Sequence, residues 1–220
     1  MQNFSLLGPP GSGKSTQAEF LKKEFHLVHI DIGSELRAVA ENGTDIGRMV
    51  DEIIHHRREL VPDHIMKEIF RQAIARVPQT QGVILDGAPR YVSQVDELLQ
   101  ICESFGRVLT KVIFIDLSLE ESIARISKRY LCFACHRPYM LGTDITLDDT
   151  VCRICGGRIG QRKDDTPDGV RKRFTIFQSE TAAVIEYFAK QGLLLRVDGK
   201  QDPQVIFQDI VKHITIGTAV

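Results

Sequence analysis

A chain of 220 residues, 43% of them hydrophobic, can bury a substantial core as one domain with insertions or as two small domains, and it is not a disordered polymer. Its 28 Lys plus Arg stand against 29 Asp plus Glu, so no polybasic surface for nucleic acid or an anionic membrane is expected, and any anion must be gripped locally. The opening MQNFSLLGPP has neither the basic start nor the long apolar stretch of a secretory signal, and no later run approaches bilayer length. A cytoplasmic protein without membrane or nucleic-acid partners is expected.

In chain order, Asn3 to Leu7 reads as a buried strand, Thr16 to Glu24 as a helix and Leu27 to Ile30 as a second strand. Gly82 to Asp86 (GVILD), Lys111 to Asp116 (KVIFID) and Leu193 to Asp198 (LLLRVD) are further buried strands, each beside an amphipathic stretch of helix length. The alternation predicts an α/β fold with five parallel strands flanked by helices. Two segments interrupt it. From about Ile32 to Pro62 a helical pattern runs without a strand, and from about Leu131 to Asp165 the composition shifts to Cys, Gly, Asp and Thr with little helical period. Both read as insertions, where an α/β enzyme places working loops and lids. His55, His56, Arg57 and Arg58 form a basic run at the end of a predicted helix, read as a solvated last turn favoured by the helix dipole.

Gly8-Pro9-Pro10-Gly11-Ser12-Gly13-Lys14-Ser15 fits the pattern G-x-x-x-x-G-K-[ST], with a predicted strand before it and a helix after it. Glycines there let backbone N–H groups converge on phosphate oxygens, the helix points its positive end at them, and Lys14 reaches the outer phosphates. The nucleotide-binding run is taken as Gly8, Pro10, Gly11, Ser12, Gly13, Lys14, Ser15 and Thr16. Asp86, ending the GVILD strand, is placed to hold magnesium directly or through water, and the Ser15 hydroxyl is a second candidate ligand. The plainer alternatives are a ligand-free glycine turn and a helix-capping Asp.

Arginines supply the next signal. Moving a phosphoryl group between two nucleotides brings together phosphates of about −1.5 to −2 charge each, which calls for fixed bidentate cations. Arg37, Arg90, Arg125 and Arg129 (four apart on one predicted helix face), then Arg162, Arg171 and Arg173 around RKDD, are the candidates. Any one of them, taken alone, is as readily a solvated surface charge.

Read with their surroundings, these residues resemble the adenylate kinase family over nearly the whole chain. The resemblance runs through GPPGSGKSTQ at 8–17, IDIGSELR at 30–37, LVPD at 60–63, LDGAPR with Gln94 at 85–94, ARISKR at 124–129, QRKDD at 161–165, VRKRF at 170–174 and VDG at 197–199. It implies a P-loop three-layer fold around a five-stranded parallel sheet, with a core of 1–30, 63–128 and 166–220, a nucleoside-monophosphate-binding insertion at 31–62 and a lid at 129–165. The implied reaction is reversible transfer of the γ-phosphate of Mg-ATP to AMP, giving two ADP, by a protein of a commonly monomeric family. The acceptor phosphate would be held by Arg37 and Arg90, and the acceptor adenine by Gln94, with Ile32, Gly33, Val61, Gly87, Arg162 and Arg173 completing that site. Arg125, Arg129, Arg162 and Arg173 would meet the donor and the moving phosphate, with Gln201 beside the donor. Asp164 and Asp165 would order the arginines and aid lid closure; otherwise they are capping acids for a helix starting near Pro167. The nucleophile, a phosphate oxygen, is already ionised, so positioning and charge do the catalysis without a general base.

Cys132-x2-Cys135, sixteen residues, then Cys152-x2-Cys155 is the spacing of a structural zinc site. Four thiolates leave no open position, so the metal would fold the segment and do no chemistry. The same four ligands also suit iron, and disulfides are disfavoured by the reducing compartment expected. His136 is not needed as a ligand, and Cys102 reads as a buried apolar side chain. Zinc-lid adenylate kinases are similar here, down to the CGG at 155–157.

Four positions depart from the family: Ile32 for Thr, Ser34 for Asp, Ala88 for Phe and Ser15 for Gly. They leave another acceptor open, since a small apolar residue at position 32 suggests UMP/CMP kinases while Gln94 argues for adenine, in AMP or dAMP. Two other classes are a P-loop switch or adaptor, for which Gly199-Lys200-Gln201-Asp202 only echoes the base-reading NKxD, and a zinc-ribbon nucleic-acid binder, disfavoured by the near-neutral charge.

Overall fold

The computed structural model describes residues 1–57, 59 and 61–216; Arg58 of the basic run and Leu60 of LVPD lie outside the described residues. The chain begins with β1 (Asn3–Leu7), α1 (Lys14–Phe25), β2 (Val28–Asp31), α2 (Ile32–Ala40), α3 (Asp45–Asp51) and a π-helical turn at Glu52–Arg57. It continues with α4 (Asp63–Ala75), β3 (Val83–Asp86), α5 (Ser93–Ser104), β4 (Lys111–Asp116) and α6 (Leu119–Ser127). Three short strands follow, β5 (Arg129–Cys132), β6 (Pro138–Met140) and β7 (Ile159–Gly160), then α7 (Pro167–Ile176), a second π-helical turn at Phe177–Thr181, α8 (Ala182–Lys190), β8 (Leu194–Asp198) and α9 (Pro203–Ile216).

The long strands form the expected five-stranded parallel sheet, in the order β2-β3-β1-β4-β8. Every residue of β1 and β3 is buried, which explains why they read as unbroken apolar runs: helices cover both faces. Strand alternation divides the core accordingly. Val83 and Leu85 pack with Ile65, Phe70 and Leu98, while Ile84 faces the other way with Phe4, Leu6, Leu21, Ile113 and Ile210. Val112 and Phe114 join Leu7, Val184 and Phe188 in a third cluster. The result is three layers.

Register puts the chemistry at one edge. β2, β3, β4 and β8 each end in an aspartate, with Asp31 beside Asp86 and Asp116 beside Asp198. β1 ends between these pairs and hands the chain to Gly8. In open α/β sheets ligands bind outside the carboxyl ends of the strands, which is this edge.

The boundaries shift by small amounts from the sequence reading. α1 starts at Lys14, two residues early, because Gly13 takes a left-handed conformation (φ 94°) at its N-cap. The segment after β2 is helical, as expected, with Asp31 capping α2 through Gly33 N. One expectation is corrected: Arg125 and Arg129 do not share a helix face. α6 stops at Ser127, and Arg129 opens β5, where it pairs with Met140 while Leu141 N donates to Lys128 O. Strand pairing outcompetes the last helical turn there. The segment that showed no period holds a three-stranded antiparallel sheet, β6-β5-β7, whose strands are too short for alternation to register. Among the described residues no helix is long and apolar enough to cross a membrane.

Candidate active site

The turn after β1 is shaped by what its glycines avoid. A Cβ on Gly8 would sit 2.6 Å from Ile115 O and from Ser12 Oγ, so only glycine lets the loop lie this close to β4. Lys14, the first residue of α1, folds its ammonium onto the loop, donating to Gly8 O at 2.9 Å and Pro9 O at 3.0 Å. Ser12 is buried beneath it, Pro10 and Gly11 form the crest, and Thr16 is half-buried on α1. Burial pushes the Lys14 amine down to about 8, with Arg90 and Arg129 adding repulsion against the pull of Asp86 and Asp31.

The two residues read as magnesium candidates lie together: Ser15 Oγ donates to Asp86 Oδ2 at 2.6 Å. A hydroxyl and a carboxylate are hard oxygen donors of the type magnesium takes. His29 joins them without any motif to mark it. Its Nε2 lies 3.3 Å from the same Asp86 oxygen and its Nδ1 3.0 Å from Glu19. Burial works against a charged imidazole, yet the bonds to Asp86 and Glu19 outweigh it and raise His29 above its usual value. Burial likewise favours a protonated Asp86, but His29, Lys14 and Ser15 hold it below the normal carboxylate range. The signal for His29 was its place on β2, two residues before Asp31 and beside the strand that ends in Asp86.

The arginines come from five parts of the chain. Arg37 on α2 donates to Ser34 Oγ at 2.7 Å and lies 3.5 Å from Asp31. Arg90 follows β3 through Gly87 (φ 83°) and donates from Nε to Gly87 O at 3.0 Å. Its guanidinium is reachable by solvent but lies deep among protein atoms, and this burial lowers its pKa, with Asp86 and Asp31 opposing and Arg173 and Arg37 adding to the effect. Arg129 grips Asp165 with both Nε and Nη2, at 2.6 to 3.1 Å, while Arg173 on α7 reaches Asp165 at 3.0 Å and Asp164 at 3.0 Å. Arg162 is pushed down to about 10 by burial and then by the charges of Arg129 and Arg37. Thus Arg129 and Arg173 meet on Asp165, and Lys14, Arg37, Arg90 and Arg162 lie near enough for their charges to act on one another and on this pair.

Asp165, whose side chain is wholly buried, is the hub rather than Asp164. Neither aspartate caps α7; Thr166 does, accepting from Gly169 N. Arg171 only pairs with Asp168 at the surface. Arg125 stands apart and donates to Lys200 O at 3.3 Å, next to Gln201 in the turn after β8. Ile32, Val61 and Ala88 are buried in one apolar cluster, and a Cβ on Gly33 would lie 3.2 Å from the Arg37 guanidinium. Gln94 is buried at the start of α5, with its amide joined to Arg90 N and to Asp63.

The family model for adenylate kinase matches residues 6–193. The chain belongs to the adenylate kinase family. It is 38% identical to an adenylate kinase of Kosmotoga olearia over 96% of this chain and 98% of that relative. The adenylate kinase of Caldanaerobacter subterraneus is 37% identical over 95% of this chain and 94% of its own, and that of Dehalococcoides mccartyi 36% over 99% and 100%. As a member of this family the chain is an ATP:AMP phosphotransferase, which uses magnesium with ATP. The comparisons favour none of the other acceptors that the four departures left open.

The four cysteines of β5 and its neighbouring turns form the only candidate metal cluster found among the described residues, their sulfurs all within 4.8 Å of one another. Cys132 and Cys155 Sγ are 3.4 Å apart, Cys135 and Cys152 3.7 Å, close to the roughly 3.8 Å edge of a tetrahedron with Zn–S bonds of about 2.3 Å. All five cysteines are free thiols, His136 is exposed outside the cluster, and Cys102 is buried, its thiol pushed up to about 11 by that burial. A Cβ on Gly157 would lie 2.5 Å from Ala134 Cβ and 2.9 Å from Cys132 Sγ, which accounts for the glycine after Cys155-Gly156. The buried Tyr139 hydroxyl donates to Cys152 Sγ at 3.0 Å and holds that thiol down at about 6. A set of four cysteine thiols arranged in this way fits a structural zinc.

Two outcomes are expected. An amine that grips phosphate does so as the ammonium, so if Lys14 fills that role kcat/KM for Mg-ATP should fall as pH rises past about 8, and Lys14→Arg should flatten that limb; a wild-type profile level to about pH 10 would contradict it. Stripping the metal with a strong chelator should lower the unfolding midpoint by several degrees and direct limited proteolysis to residues 132–160 first, measured by calorimetry and mass spectrometry.

Proposed function

We propose that the gap ringed by Lys14, Arg37, Arg90, Arg129, Arg162 and Arg173 is where phosphoryl transfer takes place. The observation that carries this reading is the nearness of the charges: Arg129 and Arg173 meet on Asp165, and burial with neighbouring positive charge from Arg129, Arg173 and Arg37 pushes down the pKa values of Lys14, Arg90 and Arg162 near the carboxyl edge of the sheet. The loop Gly8, Pro10, Gly11, Ser12, Gly13 with Lys14, Ser15 and Thr16 would wrap the donor phosphates, and Arg125 with Gln201 would meet the donor's far end. Ser15 and Asp86 would hold magnesium, which neutralises charge on the phosphate oxygens. Arg37 and Arg90 would hold the acceptor phosphate, and Gln94 would meet its base in a pocket walled by Ile32, Gly33, Val61 and Gly87. Arg129, Arg162 and Arg173, braced by Asp164 and Asp165, would follow the moving phosphate in either direction.

In this reading residues 1–30, 63–128 and 166–220 form the core, 31–62 the acceptor-binding segment and 129–165 the zinc-bearing lid. Both insertions would close to keep water from competing with AMP. The protein would work as a monomer in the cytoplasm, exchanging only nucleotides with its surroundings.

Arg90→Ala should cut kcat/KM for AMP by about 100-fold or more while leaving the unfolding midpoint within a few degrees of wild type. A near-normal rate in a folded variant would remove Arg90 from the reacting centre.

A further inference from the structure

We propose that Asp63 is a specificity-determining residue, which locks the side-chain amide of Gln94 in one orientation and so restricts the acceptor to bases that carry an amino group beside a bare ring nitrogen. The proposal rests on the reading of Gln94 as the group that meets the acceptor base.

The two ends of a glutamine amide have opposite hydrogen-bonding sense. Here Gln94 Oε1 accepts from Arg90 N at 3.0 Å and from Tyr91 N at 3.4 Å, while Nε2 donates to Asp63 Oδ1 at 3.0 Å. Backbone N–H groups only donate and a carboxylate only accepts. Turning the amide over would set Nε2 against two N–H groups and Oε1 against a negative charge. Gln94 is 3% exposed, so water cannot make good those losses. Asp63 is itself held, accepting from Ser93 Oγ at 2.6 Å on its other oxygen, and its charge suits the first turn of α4.

Two capacities of the amide remain for a ligand: the second N–H of Nε2, and the oxygen lone pair engaged only by the long Tyr91 contact. They are one donor and one acceptor in fixed order. Adenine answers with N1 as acceptor and N6–H as donor. A 6-keto purine presents N1–H and O6, the reverse sense, and uracil is reversed in the same way. Cytosine shares the sense of adenine and differs by ring size. The side chains of Ile32, Val61 and Ala88, which share one buried cluster, are apolar and cannot rescue a keto base. Buried polar groups left unpaired are what give such sites their large rejection ratios.

AMP and IMP differ only at this edge and form the test pair. With Mg-ATP, the wild-type full chain should favour AMP over IMP by about 1,000-fold or more in kcat/KM. An asparagine amide can present either an oxygen or an amino group, so Asp63→Asn should shrink the ratio at least about tenfold, mainly by raising the IMP value, with the AMP value changed less than about threefold. Ser93→Ala, which loosens Asp63 from behind, should move the ratio the same way by less, and it carries the test should Asp63→Asn fold poorly. An unchanged ratio in the folded variants, or AMP and IMP rates falling together, would overturn the lock. Gln94→Leu separates this from the reading beneath it: a KM for AMP equal to wild type would show that Gln94 does not touch the base, and the proposal would fall with it.

Discussion

Six positive side chains close enough to act on one another form an arrangement that repels itself. Arg162 is pushed down to about 10 by burial together with Arg129 and Arg37, and Arg90 is lowered by burial and by Arg173 and Arg37. Asp31, Asp86, Asp164 and Asp165 stand against that field, and Asp165 does so from complete burial while joining Arg129 to Arg173. Such a cluster is held together by the surrounding fold and, in the proposed reading, would be relieved by bound polyphosphate. Catalysis of phosphoryl transfer needs that excess of uncompensated positive charge, because the work lies in placing and neutralising oxygens.

The rest of the architecture follows from where those charges must come from. A parallel sheet offers one edge at which β1 releases the phosphate loop and β2 and β3 end in Asp31 and Asp86. It cannot by itself surround two nucleotides. Arg37 arrives on a helical insertion after β2, and Arg162 on the return from the cysteine-bearing insertion. The two are tied to α7, which carries Arg173 against Asp164 and Asp165 and sends Lys172 Nζ to Arg57 O at 2.6 Å. A segment with three strands of four, three and two residues has little core of its own. Four thiolates on a metal would supply the missing cohesion at the far end of β5, the strand that Arg129 opens.

Much of this was legible in the sequence, for physical reasons that differ from part to part. The strands showed because both faces of the sheet are covered, which leaves GVILD and KVIFID almost without polar interruption. The phosphate loop showed because Gly8 cannot be replaced without striking Ile115 O. The metal cluster showed because ligand spacing is set by local turns. What stayed hidden was tertiary. The four-residue spacing of Arg125 and Arg129 pointed to one helix face, but pairing with Met140 draws Arg129 into a strand. His29 and Glu19 carry no motif, and they matter only because β2 lies beside β3 and α1 packs over it. Asp63 belongs to a short run, LVPD, that says nothing of Gln94 thirty-one residues later.

On this reading the cation cluster is held at a cost to the free protein and stabilised by phosphate. The most direct test is the unfolding temperature of Arg162→Met, measured with and without saturating Mg-ADP. Loss of one repelling charge should leave the nucleotide-free variant as stable as wild type or more so, while its gain on adding Mg-ADP is clearly smaller. A variant that melts lower without nucleotide, yet gains as much as wild type with it, would contradict the account.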